Sequence, residues 1–200
     1  MKIAVDIDDT LNIVERVERG SAYIARKGLP FKLVKPDSNK FVDVFDWTIG
    51  DVLRFIREEG GIASFTDARV RKGAREALSG WRAAGHEIVI LTARTREWFG
   101  NPERVSRDWL EKRRIPYDQI VAEVRFAEKG KYCAEHDIPI LVDDDPAACL
   151  DAQAHGVSAV LAIGRHNAAR AKEVYYGGAN WAQIDAAVKR LISEYEPNRG

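Results

Sequence analysis

The sequence predicts an α/β fold: a Rossmann-like parallel sheet with helices on both faces, plus a small helical cap inserted after the first strand. Three observations predict it. From residue 86 onward, short apolar runs alternate with segments of helical spacing, the rhythm of strands joined by helical crossovers. An apolar triplet, Ile3-Ala4-Val5, stands near the start, as suits the buried centre of a parallel sheet. Acidic residues then crowd the ends of this run and of the later run Ile138-Pro-Ile-Leu-Val142. In open α/β sheets the carboxyl ends of strands are where ligands bind.

Each element follows from local pattern. Asn12 to Lys27 has helical spacing, with Ile13, Val17 and Ile24 on one face, and Gly28 and Pro30 end it. Phe31 to Phe45 is less periodic and holds the turn cluster Pro36-Asp37-Ser38-Asn39. Thr48 caps a helix through about Glu59 with Val52, Phe55 and Ile56 as its stripe, and Gly60-Gly61 stops it. A segment Ile62 to Asp67 precedes a helix around Arg71 to Ala84, which ends at Gly85. His86 to Leu91 is a buried strand, and Asn101-Pro102-Glu103 opens a helix through about Arg113. Gln119 to Val124 is a short strand and Lys131 to His136 a helix. After strand Ile138 to Val142, Asp145 and Pro146 start a helix to about His155. Strand Ser158 to Ile163 and a helix from Trp181 to Tyr195 complete the order. The expected division is a core of residues 1–12 and 69–200 with an insertion of 13–68.

Bulk properties exclude several function classes. Lys+Arg and Asp+Glu both total 31, so there is no global basic field for a nucleic-acid polymer. No run approaches the roughly 18 apolar residues of a membrane span. Met1-Lys-Ile-Ala-Val-Asp6 reaches a carboxylate too early for a secretory signal. Cys133 and Cys149 share no metal-type spacing and read as small buried residues in a reducing compartment, so the expected address is the cytoplasm. The four histidines, His86, His136, His155 and His166, are scattered and read as structural or surface residues. The oligomeric state is not set by the sequence, and a homodimer stays open.

The chemistry gathers at strand ends. Asp6, Asp8 and Asp9 fall within four residues, and like charges this close repel and resist desolvation unless a cation sits among them. An all-oxygen set favours Mg²⁺. The plainer reading is a solvated acidic turn. The hydroxyl of Thr92 and the backbone after it, from Ala93, are placed to hold phosphate oxygens, although a Thr at a strand end is usually only a cap or turn residue. Lys129 or Lys131 offers an ammonium ahead of the last acidic strand, where the default is a solvated lysine. Asp143 and Asp144 end that strand.

Asp6-Ile-Asp8-Asp9-Thr10-Leu11 resembles the first motif of the haloacid dehalogenase-like (HAD) hydrolases, Asp-x-Asp-Gly-Thr-Leu, with Asp9 standing where Gly is usual. Ile88-Val-Ile-Leu-Thr92-Ala resembles the second motif and Asp143-Asp144 the fourth. The resemblance implies that Asp6 is the nucleophile and Asp8 the general acid/base. It implies that Thr92, Ala93 and Lys129 bind phosphate, and that Mg²⁺ is held by Asp6, the Asp8 carbonyl and Asp143, with Asp144 supporting. Lys129 is preferred over Lys131 by its match to nucleotidase-like relatives. A response-regulator receiver uses similar residues, but there the Lys comes last; here it precedes the final acidic strand end.

Within the superfamily the chain is similar to the cytosolic 5′(3′)-deoxyribonucleotidase-like group, through Gly85 to Arg94, Leu141-Val-Asp-Asp144 and Ala179-Asn-Trp181-Ala-Gln-Ile184. That resemblance implies a small phosphorylated substrate, a nucleoside monophosphate. Phe41, Phe45 and Trp47 could stack on a base, and Arg94, Arg96 and Trp98 could reach the substrate; the defaults are an aromatic core and surface charge. Two other functions stay open: a phosphatase for sugar phosphates or another small metabolite, and a non-catalytic Mg²⁺- or nucleotide-binding regulator. A 3′-phosphatase of nucleic-acid ends fits less well, because the neutral charge and large insertion disfavour a polymer. The acid role of Asp8 requires a raised pKa, which crowding by neighbouring acids would supply.

Overall fold

Alternation of side chains along the first strand sets the layers. In a computed structural model, which describes residues 1–58 and 60–195, β1 (Lys2–Val5) sends Ile3 and Val5 into one hydrophobic cluster and Ala4 into another. The chain then leaves the sheet through β2 (Asn12–Ile13), α1 (Arg16–Lys27), α2 (Phe41–Val44), α3 (Ile49–Glu58) and α4 (Ala63–Thr66). It returns through β3 (Arg69–Val70), which pairs antiparallel with β2. The remainder is α5 (Ala74–Ala83), β4 (Glu87–Leu91), α6 (Arg96–Phe99), α7 (Pro102–Lys112) and β5 (Gln119–Val121). After these come α8 (Lys129–Glu135), β6 (Ile140–Asp143), α9 (Pro146–Ala154), β7 (Ser158–Ala162), β8 (Tyr176–Gly178) and α10 (Trp181–Tyr195).

Six strands form one sheet in the order β5-β4-β1-β6-β7-β8, every neighbouring pair parallel. The chain builds from β1 to one side through β4 and β5, then crosses to the other side through β6, β7 and β8. That reversal opens a crevice at the carboxyl ends of β1, β4 and β6. Register brings the acidic ends together: Val5 lies opposite Val142, and the Asp6 amide donates to the Val142 carbonyl at 3.0 Å.

Period-two alternation covers both faces. Ile88, Ile90, Ile140, Val142 and Val160 join Ile3 and Val5 beneath α5, α7 and α10, while Val89, Leu91, Leu141 and Leu161 face Cys133 of α8 and Ala148 and Cys149 of α9. Three tryptophans anchor the first layer, each at about 1% exposure. Their indole N–H groups are all satisfied, Trp81 by Asp185 (2.7 Å), Trp109 by the Ala68 carbonyl (3.0 Å) and Trp181 by the Thr10 carbonyl (3.1 Å). A third cluster is built from residues 14 to 65, including Tyr23, Phe41, Phe45, Trp47, Phe55 and Phe65, with Trp98 and Phe99 of α6 packed against it.

Local expectations hold where a cap or a long period carries them. Gly28 ends α1 in the left-handed conformation (φ 62°). Thr48 and Asp51 form a reciprocal cap on α3, the Asp51 amide donating to Thr48 Oγ1 (3.2 Å) and the Thr48 amide to Asp51 (2.9 Å). The Asn101 and Asp145 side chains accept from Arg104 and Ala147 at the starts of α7 and α9, and α10 spans the expected residues.

Other elements differ: the strand expected over Gln119 to Val124 is Gln119–Val121, and β8 is not among the expected strands. Ile13 is not on a helical face: it lies in β2, 41% exposed, because Asn12 and Ile13 pair with Val70 and Arg69 where the chain leaves and re-enters the sheet. Lys129 and Gly130 are already helical, so α8 starts two residues before Lys131. The helix expected to run through about Glu59 is described from Ile49 to Glu58; Glu59 and residues 196–200 lie outside the described residues. No helix among the described residues is long and apolar enough to cross a membrane.

Candidate active site

The loop after β1 is shaped from below. Ile7 is fully buried in the first core layer, and its carbonyl accepts from the amides of Leu11 (2.9 Å) and Asn12 (3.1 Å). That turn leaves Asp6 and Asp8 at the crevice. Asp9 has φ 61°, the left-handed region that Gly adopts freely and Asp tolerates better than most residues. Its amide donates to Asn12 Oδ1 (2.8 Å), and Asn12 Nδ2 donates to Asp8 Oδ1 (2.9 Å).

Lys129 is the hub. Its Nζ donates to Asp6 Oδ1 at 2.7 Å and to Asp143 Oδ2 at 2.6 Å, with no exposure. Gly130 makes this reach possible: a Cβ there would strike the backbone of Asp151 and Ala152, so α8 seats directly on α9. Lys131 points elsewhere, exposed and near Glu135 (3.8 Å). Asp144 accepts from Thr10 Oγ1 (3.2 Å), and His166 Nε2 lies 2.8 Å from its other oxygen. The two form an ion pair when His166 is protonated. His166 is therefore part of the site's surroundings and not a bystander.

One ammonium does not balance this many buried carboxylates. Burial, against the Lys129 charge, raises Asp6 to about 7, with Asp143 and Asp8 adding to the rise. Burial likewise raises Asp143 to about 6 against Lys129, and Asp144 to about 6 against His166. Lys129 itself is raised: burial opposes its charge, but Asp143 and Asp6 outweigh it. His166 is also raised, as Asp144 beside it overcomes the cost of burial. Oxygen atoms of Asp6, Asp143 and Asp144 lie within 4.8 Å of one another, an all-oxygen donor set that fits a hard divalent cation such as Mg²⁺.

Asp8 stands apart from that cluster. Arg94 donates to it through both prongs, Nε to Oδ2 (2.8 Å) and Nη2 to Oδ1 (2.7 Å). Burial pushes its pKa up, but the Arg94 charge and hydrogen bonds, with Asn12 and Arg16, outweigh this and hold it below the usual carboxylate value. This corrects the expectation of a raised pKa: crowding by acids is overridden by a guanidinium fork. Arg94 is 3% exposed, bound to Asp8, and lines the cavity beside it. Thr92 ends β4 with its amide on the Val121 carbonyl (3.0 Å); its hydroxyl accepts from the Arg94 amide (3.3 Å) and keeps its own proton to donate.

Above these residues lies a cavity of about 370 Å³. Asp6, Asp8, Thr92, Ala93 and Asp144 form its polar floor; Phe41, Phe65, Trp98, Phe99 and Phe126 supply apolar walls, and Arg16 and Lys40 border it. Phe45 and Trp47 do not line it. They are 1% and 5% exposed and stack on each other at 4.7 Å inside the third cluster, because Tyr23, Phe31 and Phe55 pack round Trp47, while Phe41 reaches the cavity. Asn12, Arg16, Phe65, Phe99 and Phe126 carry no motif of their own.

No protein-family model matches the sequence, and no curated protein matches it. Solved structures do. A HAD family hydrolase from Deinococcus radiodurans R1, with bound phosphate and sodium, superposes with TM-score 0.64 at 16% identity over 94% of this chain and 95% of that one. This is the fold of the HAD hydrolases. The D,D-heptose 1.7-bisphosphate phosphatase from B. bronchiseptica, complexed with magnesium and phosphate, gives TM-score 0.53 at 12% identity over 96% and 98% of the two chains. CbbY from Rhodobacter sphaeroides in complex with xylulose-(1,5)bisphosphate gives 0.52 at 16% over 92% and 95%. The HAD-type sheet thus carries, in this chain, an acidic crevice at the carboxyl end of its central strand.

Proposed function

We propose that the protein is a Mg²⁺-dependent phosphomonoester hydrolase that works through an aspartyl phosphate on Asp6. The observation that carries this reading is the Asp6–Lys129–Asp143 cluster, a carboxylate oriented by a buried ammonium at the carboxyl end of β1 and opening onto a cavity. Lys129 holds Asp6 Oδ1, leaving Oδ2 to attack phosphorus. As the Asp6–phosphorus bond forms, the bond to the leaving oxygen breaks. Thr92 Oγ1 and the Lys129 ammonium stabilise charge on the phosphoryl oxygens. Asp8, held as a carboxylate by Arg94, is in the form that takes a proton from water when the aspartyl phosphate is hydrolysed. The proton for the first step then arrives with the phosphate monoanion and is relayed through Asp8. Asp6, Asp143 and Asp144 would hold Mg²⁺, with the Asp8 carbonyl, and the ion would supply charge neutralisation to carboxylates and phosphate alike.

In this reading residues 13–68 serve as a cap over the core of 1–12 and 69–200. Its side chains choose the leaving group. The preferred substrate is a nucleoside monophosphate, supported by the aromatic walls, which suit a flat apolar ring. A sugar phosphate is the second reading, supported by the sugar bisphosphates named for two structures of the same fold. Phosphate release measured with and without Mg²⁺ over nucleoside monophosphates and sugar phosphates tests both. Release from nucleotides supports the first, release from sugar phosphates alone transfers the function to the second, and no release from any ester removes the hydrolase reading.

A further inference from the structure

The Asp8 carboxylate has about four lone-pair directions, and their occupancy is uneven. Oδ1 accepts from Arg94 Nη2 (2.7 Å) and Asn12 Nδ2 (2.9 Å) and is full. Among the described residues Oδ2 accepts from Arg94 Nε alone (2.8 Å) and keeps one direction open. The guanidinium is itself fixed: Nη1 donates to Ser106 Oγ on α7 (3.3 Å), and its plane lies over the Phe99 ring at 5.2 Å. Arg94 borders the cavity, but with its side chain 1% exposed its guanidinium cannot turn further into it without breaking these contacts.

We propose that Arg94 is the positioning residue for Asp8, turning its carboxylate so that Oδ2 alone exchanges the reaction's proton. This rests on the hydrolase reading above. In the second step a water proton passes to Asp8 Oδ2 while the water oxygen bonds to phosphorus and the phosphorus–Asp6 bond breaks, giving inorganic phosphate and the Asp6 carboxylate. The rigid fork matters here: a lysine would supply charge without orienting the carboxylate plane.

The test uses p-nitrophenyl phosphate, an aryl ester whose leaving group departs without help from an acid. Arg94→Met is expected to lower kcat about a hundredfold or more, the usual scale of general acid–base catalysis, with KM changed less than about threefold. Because the first step survives, the variant should release a burst of p-nitrophenolate near one equivalent and accumulate phosphoenzyme. Arg94→Lys should recover only part of kcat. Ser106→Ala, a small change that frees one edge of the guanidinium, should lower kcat in the same direction by a fewfold. If Arg94→Met fails to fold, Ser106→Ala decides alone. A rise in KM with kcat preserved would make Arg94 a substrate contact and overturn the proposal, as would a loss of kcat without a burst or full recovery in Arg94→Lys. Wild-type protein that is inactive, or active after Asp6→Asn, would instead overturn the hydrolase reading.

Discussion

Asp9 and Arg16 form a 2.6 Å ion pair that joins the loop after β1 to the first residue of α1. The Asp9 carboxylate also accepts from the Val14 amide at 3.3 Å. This accounts for an acid where the resembling motif has Gly: the backbone keeps the left-handed turn, and the side chain ties that turn to the insertion. Two effects oppose each other at this position. The pair, at 10% and 13% side-chain exposure, contributes about 2 kcal/mol, and the left-handed conformation costs a non-glycine residue about 1–2 kcal/mol. Asp9→Ala loses the pair and keeps the cost, whereas Asp9→Gly loses both. Thermal melting should therefore rank Asp9→Ala below Asp9→Gly by about 1 kcal/mol, with wild type at or above the glycine variant. Equal melting of the two variants would remove the conformational argument.

Asp6→Asn separates chemistry from stability. Asparagine keeps the shape and an acceptor for Lys129 but is a far weaker nucleophile, so phosphate release should fall below detection. The fold should not suffer. Asp6 is one of three clustered carboxylates facing a single ammonium, and its removal leaves Lys129 paired with Asp143. Melting at pH 8 should be at least as high as in wild type. A variant that melts normally and still turns over would refute the nucleophile assignment.

The same residues show what could be read from the chain. Asp6, Thr92 and Asp143 were legible because polar groups at the ends of apolar runs stand out against their neighbours, whereas Lys129 was separated from Lys131 only by the resemblance. Arg94 was visible as a charge, but its partner was not: Asp8 is 86 positions away and meets it only after β4 pairs with β1. Asn12 and Ser106 were hidden for the same reason, being ordinary polar residues until the fold closes round Asp8 and Arg94. The aromatic residues of the insertion show a limit of periodicity. A four-residue helix such as α2 has no repeat to count, so the sequence could not tell that Phe41 would border the cavity while Phe45 and Trp47 turned inward. Likewise β8, Tyr176-Gly-Gly178, has no apolar run and becomes a strand only by pairing with β7.

Gly130→Ala tests how Lys129 is aimed. Its Cβ would meet the backbone of Asp151 and Ala152, which cannot turn aside as a side chain would. Separating α8 from α9 should cost about 1–3 kcal/mol, the usual scale of overpacking. It should also weaken the Gly130 amide's 2.6 Å bond to Asp151 and shift the ammonium that holds Asp6. A displacement near 1 Å at a reacting group can cost about a hundredfold in rate, so kcat should fall by about tenfold to a hundredfold. Gly80→Ala on α5 is the control: nothing lies within 4 Å of its Cβ, and alanine there should melt at or above wild type. If both variants keep full activity, the close seating of α8 does not set the Lys129 position.

Stability without metal should depend on pH in a direction opposite to that of a carboxylate whose pKa is lowered by folding. Asp6 is raised to about 7 in the folded protein, and Asp143 and Asp144 to about 6, all from near 3.8. Between about pH 4 and pH 7 the folded state therefore binds more protons than the unfolded chain. The slope of unfolding free energy with pH is negative over that interval, so stability is highest near its acidic end and is lost as pH rises through the folded values. With a chelator present, the melting temperature should fall between pH 5 and pH 8. Mg²⁺ competes with those protons for the same oxygens, so it should do little at pH 5 and restore melting at pH 8. Saturation at a hundred times its dissociation constant would contribute about 2.7 kcal/mol. Melting scans at the two pH values, each with and without Mg²⁺, give the four numbers required. If Mg²⁺ stabilises equally at pH 5 and pH 8, the ion does not replace the protons of this cluster, and the assignment of Asp6, Asp143 and Asp144 as its ligands fails.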